Sequence, residues 1–217
     1  MQAFTWLWPA LSLPVMLAFF GIFAVTRPQG VSVWRSLAKC GATFMAVITA
    51  VLGIVLYERD AGSWLLAAGL MLCCIADFVI ERSFIGGVAG FALAHAAFIW
   101  YILTLNRPVW QSVPIALALF GLAALLFRRE LKQFGKMRVL LLLYAAILSA
   151  MAALALALPA ACSMRYARLA LGAVAFAVSD IFVAKDALLG ATDRQRNGAL
   201  LLYDFAVYAM AAVLLVP

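Results

Sequence analysis

The chain has 217 residues, of which 68% are hydrophobic and only 12% charged, and its mean hydropathy is +1.11. That composition excludes a water-soluble globule with a polar surface and marks an integral membrane protein. A formal charge of +7 with a pI near 9.6 would suit a nucleic-acid partner, but basic residues in so apolar a chain must first be sorted by membrane side.

A hydrocarbon core of roughly 30 Å needs about 17 to 25 apolar residues per helix. Such runs fall at 4–25, 37–56, 64–80, 86–105, 110–127, 139–158, 167–184 and 199–216. The expectation is an all-α integral membrane protein, a single transmembrane domain over 1–217 with eight transmembrane helices. The first run has no basic stretch before it and is interrupted by Pro9 and Pro14, so it reads as a retained helix rather than a cleaved signal. Lys39 lies just inside the second run and Cys40 follows it. The third carries Gly69, Cys73, Cys74 and Asp77, and the fourth carries Gly86, Gly87, Gly90 and His95. The fifth carries no charged residue, and the sixth holds Tyr144 and Met151. Gly172, Ser179 and Asp180 lie in the seventh; Tyr203 and Asp204 open the eighth. The four cysteines, Cys162 included, show no metal-type spacing and read as small hydrophobes. Tyr57, Trp64, Trp100, Tyr101 and Trp110 fall near run ends and read as interfacial belt aromatics.

Alternate connections carry twelve basic residues: Arg27, Arg35, Lys39, Arg82, Arg128, Arg129, Lys132, Lys136, Arg138, Lys185, Arg194 and Arg196. The opposite connections hold four: Arg59, Arg107, Arg165 and Arg168. The positive-inside rule then sets both termini on the non-cytoplasmic side, with anionic lipid headgroups beside the basic loops and no nucleic acid as partner. Glu81, Glu130, Asp186 and Asp193 read as solvated loop charges.

Asp77 and Asp180 are the residues that composition does not explain. An aspartate at a helix centre costs roughly 2.5 to 3.5 kcal/mol to insert, so a functional role is the default reading. Each stands eight residues after a glycine, Gly69 and Gly172, and the offset between the two pairs is 103 residues, or four helices. That spacing permits a parallel four-plus-four repeat. In the inferred topology Asp77, Asp180, Lys39, Tyr203 and Asp204 share one depth near the cytoplasmic interface, with His95 deeper. Two carboxylates in a low-dielectric site cannot both ionise cheaply, which supplies an acid and a base together. Lys39 would neutralise one of them or hold a lipid phosphate. The structural alternatives are hydrated headgroup contact for the aspartates, capping for Asp204, snorkelling for Lys39 and cross-helix packing for His95. A metal site of Asp77, His95 and Asp180 would rest on the only histidine in the chain, set deeper than the carboxylates, and no metal is expected.

Several short blocks carry a family likeness: Lys39 opening the second helix, Gly69 to Asp77, Phe84 through Gly90, Phe91 to His95 and Phe98. Tyr144 with Met151, Gly172-Ala173 through Phe176 to Ser179-Asp180, and Tyr203 complete the set. In this order and spacing the chain resembles the YhhN-like lysoplasmalogenase family of eight-helix membrane hydrolases. The resemblance implies hydrolysis of the vinyl-ether bond of a lysoplasmalogen, a lysophospholipid, in a bacterial inner membrane and without a cofactor. Asp77 and Asp180 would be the catalytic pair; Lys39, His95, Ser179, Tyr203 and Asp204 would bind or orient substrate. The chain departs from the family pattern at Cys40, where a proline is usual, and at Ala76, Val207 and Asp204, which bears on headgroup preference. A proton-coupled transporter or a lipid-binding protein using the same carboxylates is the competing class.

Overall fold

The first N–H groups of a helix have no intrahelical acceptor, and a side chain just before the helix can satisfy them. Ser32 accepts from the Arg35 amide, Ser83 accepts from the Gly86 amide, and Thr192 forms a reciprocal capping box with Gln195. These three caps start three of the helices, all at one end of the molecule. The computed structural model describes residues 2–106, 110–129, 135 and 137–215. Arg107, Glu130, Lys132 and Lys136 lie outside them.

The described residues form eight helices and no strand: α1 Gln2–Thr26, α2 Val33–Leu56, α3 Ser63–Ile80, α4 Phe84–Leu105, α5 Ser112–Leu126, α6 Met137–Ala161, α7 Ala167–Leu189 and α8 Asp193–Ala212. Seven are long and apolar enough to cross a membrane; α5 is apolar but has 15 residues. Two elements run beyond the apolar runs that announce them. α7 continues past residue 184 until Gly190 adopts φ +74°, and α8 begins at Asp193 on its Thr192 cap. Hydropathy marks the lipid-facing part of a helix, whereas caps and glycines mark its ends. Lys185, Asp186, Arg194 and Arg196 are therefore helical residues rather than members of a long polar loop.

Contacts between helix ends show consecutive helices running up and down. At one end Arg27 donates to Asn197 at 2.8 Å, Arg35 pairs with Glu81, and Arg196 pairs with Asp186. At the other, the Thr5 and Tyr57 hydroxyls lie 2.7 Å apart and Arg59 donates to the Leu214 carbonyl. α1 packs on α2, α2 on α3 and α3 on α4, as α5 packs on α6, α6 on α7 and α7 on α8; across the halves α2 packs on α8 and α4 on α6.

The matched glycines both sit against the neighbouring helix, Gly69 on α4 and Gly172 on α8. A Cβ on Gly69 would lie 2.3 Å from the Phe98 ring on α4, and one on Gly172 would lie 2.8 Å from the Ala206 carbonyl oxygen on α8. Small residues at such crossings are how membrane helices gain packing when lipid offers no hydrophobic drive. Outward faces carry Leu93, Leu117, Leu143 and Leu171. Trp64, Trp100 and Trp110 also face outward, but Tyr101 is 1% exposed and belongs to the core. Successive helical residues point about 100° apart, so the belt reading of Tyr101 is corrected by its neighbour Trp100 taking the outer face.

Candidate active site

Lys39 and Thr43 stand one turn apart on α2, a spacing that puts both side chains on one face. That face meets Asp77 near the end of α3. The Thr43 hydroxyl donates to Asp77 Oδ2 at 2.5 Å, Tyr203 on α8 donates to the same oxygen at 2.7 Å, and Lys39 Nζ lies 3.3 Å from Oδ1. Glu81, one turn beyond Asp77, extends the chain of charges: it pairs with Arg35 and lies 3.8 Å from Lys39. Its side chain is 11% exposed, which corrects its reading as a solvated loop charge. The helical pitch that carries it past Asp77 also turns it back toward α2. Asp186 is likewise held, on α7, by Arg196 at 2.9 Å.

Asp180 is built in the same manner from other helices. The Tyr144 hydroxyl of α6 donates to Asp180 Oδ2 at 2.5 Å, and this leaves the Tyr144 oxygen free to accept from His95 Nε2 of α4 at 3.2 Å. His95 Nε2 is 3.6 Å from Asp180 Oδ2. Phe176 stands between the two constellations, edge-on to His95 at 4.7 Å and to Tyr203 at 5.3 Å between ring centres. No cation among the described residues pairs with Asp180 in the way Lys39 pairs with Asp77, apart from a protonated His95.

Both carboxylates line one cavity of about 460 Å³, together with Lys39, Ser179 and Tyr203. They share this space without a hydrogen bond joining them among the described residues, each keeping its own donors. At the charged end the wall is Arg27, Arg35, Glu81, Asp186 and Arg196; one to two turns into α4 it is Val88 and Phe91. Charge at one end and hydrocarbon at the other suit an amphipathic ligand. Among the described residues no group of three or more His, Cys, Asp or Glu side chains gathers as a metal site.

The sequence pattern of the YhhN family matches residues 34–216. The chain belongs to the YhhN family. Comparison with curated proteins and with solved structures finds no match.

In this YhhN protein the residues singled out from sequence are not equally placed. Ser179 lines the cavity but donates its hydroxyl to the Ala199 carbonyl at 2.9 Å, tying α7 to α8. His95 is fully buried behind the wall and reaches the cavity only through Tyr144 and Asp180. Asp204 is 4% exposed, lies outside the cavity lining, and has no hydrogen-bond partner for either carboxylate oxygen among the described residues. Three participants have no assigned role in the sequence reading: Thr43, Glu81 and Tyr144, the last named there only within the family likeness. Thr43 carries a readable signal, being one turn from Lys39. Glu81 carries the same signal relative to Asp77, obscured by its place at the end of the apolar run.

A buried carboxylate without donors costs more than an apolar side chain of similar size. Asp204→Leu is therefore expected to raise the thermal unfolding midpoint of the detergent-purified protein, by about 1–3 kcal/mol in stability. A lower midpoint would show that the carboxylate is satisfied in the membrane.

Proposed function

We propose that this protein is a membrane hydrolase that cleaves the vinyl-ether bond of lysoplasmalogens, releasing a fatty aldehyde and a glycerophospho-headgroup. The observation that carries this reading is a single amphipathic cavity faced by two intramembrane aspartates, each oriented by its own hydroxyl donor. Vinyl ethers hydrolyse by protonation of the outer alkene carbon. The resulting oxocarbenium ion takes up water, whose proton passes to a base, and the hemiacetal then breaks its bond to the glycerol oxygen to give aldehyde and alcohol. One carboxyl group supplies the first proton and the other carboxylate receives the second; as the hemiacetal collapses, the second group returns its proton to the departing glycerol oxygen while the first takes the hemiacetal hydroxyl proton, which restores the pair without an outside reagent. The substrate binds through its phosphate at the charged end and needs no cofactor.

The same reading carries eight crossings, both termini outside the cytoplasm and a cavity mouth facing the cytoplasm of a bacterial inner membrane. The arginines and lysine at the mouth support it through the positive-inside rule. α5, roughly 22 Å long at 1.5 Å per residue, would cross with local thinning of the bilayer.

The test is aldehyde release from a lysoplasmalogen by the purified protein, beside an alkyl-ether lysophospholipid that lacks the alkene. Release from the first alone supports the reading; no release from either by folded protein overturns it. The equal spacing of Gly69 to Asp77 and Gly172 to Asp180, which permits a parallel repeat, favours a second reading, a proton-coupled transporter. Proton movement across vesicles in the absence of aldehyde release would select it.

A further inference from the structure

The polar cavity has a neighbour between α5, α6 and α7. It is a smaller hollow of about 90 Å³, and it shares Leu141, Tyr144, Asp180 and Ala184 with the larger one. Every other residue lining it is apolar, among them Phe127, Ala145, Leu148 and Leu188. The outer wall is α5, whose only buried residue is Ser112. The hollow thus lies behind the least covered helix of the bundle, next to hydrocarbon, and its one polar boundary is the Tyr144–Asp180 pair.

The far end of the larger cavity supplies the complement. Lys39, Arg35 and Arg196 are each held by carboxylates there. Arg27 is different: among the described residues it forms no ion pair, donates to the neutral Asn197 and lies 4.9 Å over the Phe23 ring. An arginine held in place by an amide and a ring, near the carboxylates of Glu81 and Asp193 but paired with neither, keeps guanidinium N–H groups for a phosphate.

Resting on the hydrolase reading above, we propose that the two hollows form one continuous site for a single-chain phospholipid. The phosphate sits on Arg27, the glycerol crosses the polar cavity, and the hydrocarbon chain passes Tyr144 and Asp180 into the slot between α5 and α6–α7. The bond joining chain to glycerol then lies against Asp180, with Asp77 further toward the headgroup. The chain's far end leaves between α5 and its neighbours into the bilayer.

The test uses full-length protein in lipid nanodiscs and an alkyl-ether lysophosphatidylethanolamine carrying a diazirine in mid-chain, which is not cleaved because it has no alkene. After irradiation, label is expected on α5–α7 around Phe127, Leu148 and Leu188, and Ala145→Phe should remove it by filling the slot. Arg27→Gln should weaken probe binding roughly tenfold, the ratio carried by about 1.4 kcal/mol, while leaving labelling by a phosphate-free alkyl diazirine unchanged. Label on α1, α4 or α8, or spread evenly over the lipid-facing surface, would overturn the proposal. If Ala145→Phe does not fold, the labelled positions in the wild type decide. Slot labelling without aldehyde release from a lysoplasmalogen would sink the hydrolase and leave the lipid site; aldehyde release without slot labelling would do the reverse.

Discussion

Asp180→Asn is expected to lower aldehyde release from a lysoplasmalogen by roughly 10²- to 10⁴-fold, the range that a positioned acid or base supplies. The amide keeps an oxygen for the Tyr144 hydroxyl, so the hydrogen bond that holds the side chain survives while the exchangeable carboxyl proton does not. Unfolding should therefore change little, and the loss should appear in kcat. Asp77→Asn is expected to cost a similar factor in turnover but more in stability. It leaves Lys39 with Glu81 at 3.8 Å as its remaining partner, in place of a carboxylate at 3.3 Å, and an uncompensated charge in this setting is expensive. Rates within threefold of wild type in either variant, by the approximate range given above, would remove that aspartate from the chemistry.

Gly172→Val is expected to be strongly damaging although it lies away from the cavity. A Cβ there would stand 2.8 Å from the Ala206 carbonyl and 3.0 Å from the Met210 amide nitrogen. These are backbone atoms of α8, so no rotamer change relieves the contact and the helices must separate. Overpacking of this kind costs about 1–3 kcal/mol, and α8 carries Tyr203, whose hydroxyl holds Asp77. Thermal stability in detergent and aldehyde release should therefore fall together. Gly121→Val, on α5 with nothing within 4 Å of its Cβ position, is the control and should change neither. A stable, active Gly172→Val protein would show that the α7–α8 crossing is looser than described.

The helices were legible because each crossing of a bilayer imposes a long apolar run, and the eight runs drawn from hydropathy overlap the eight observed helices. The ends of α7 and α8 were not, because the last polar turns of a helix look like a loop to hydropathy. Asp77, Asp180, Lys39 and Tyr203 were legible as polar residues at one depth, and all four reach the same cavity. What depth does not encode is direction around the helix. Trp100 and Tyr101 share a level, yet one is exposed and the other buried, and Asp204 beside Tyr203 stays outside the lining of the cavity that Tyr203 faces. Glu81 shows the converse, a residue beyond the apolar run that helical pitch carries back to Arg35 and Lys39.

The crossing of partners between halves has a consequence for how the chain is made. A membrane protein is inserted from its N-terminus as it is synthesised, and each buried carboxylate must be tolerated until its donors arrive. Asp180 enters late, when His95 and Tyr144 are already in the membrane. Asp77 enters early, and Tyr203 follows 126 residues behind it. In that interval α2 shields it, because Lys39 and Thr43 precede it and sit on the adjoining helix. The α2–α3 hairpin thus brings its own counter-charge into the bilayer, and only the arrival of α8 completes the polar interior, so a ribosome stalled before the last helix would leave Asp77 short of a donor and visible to quality control.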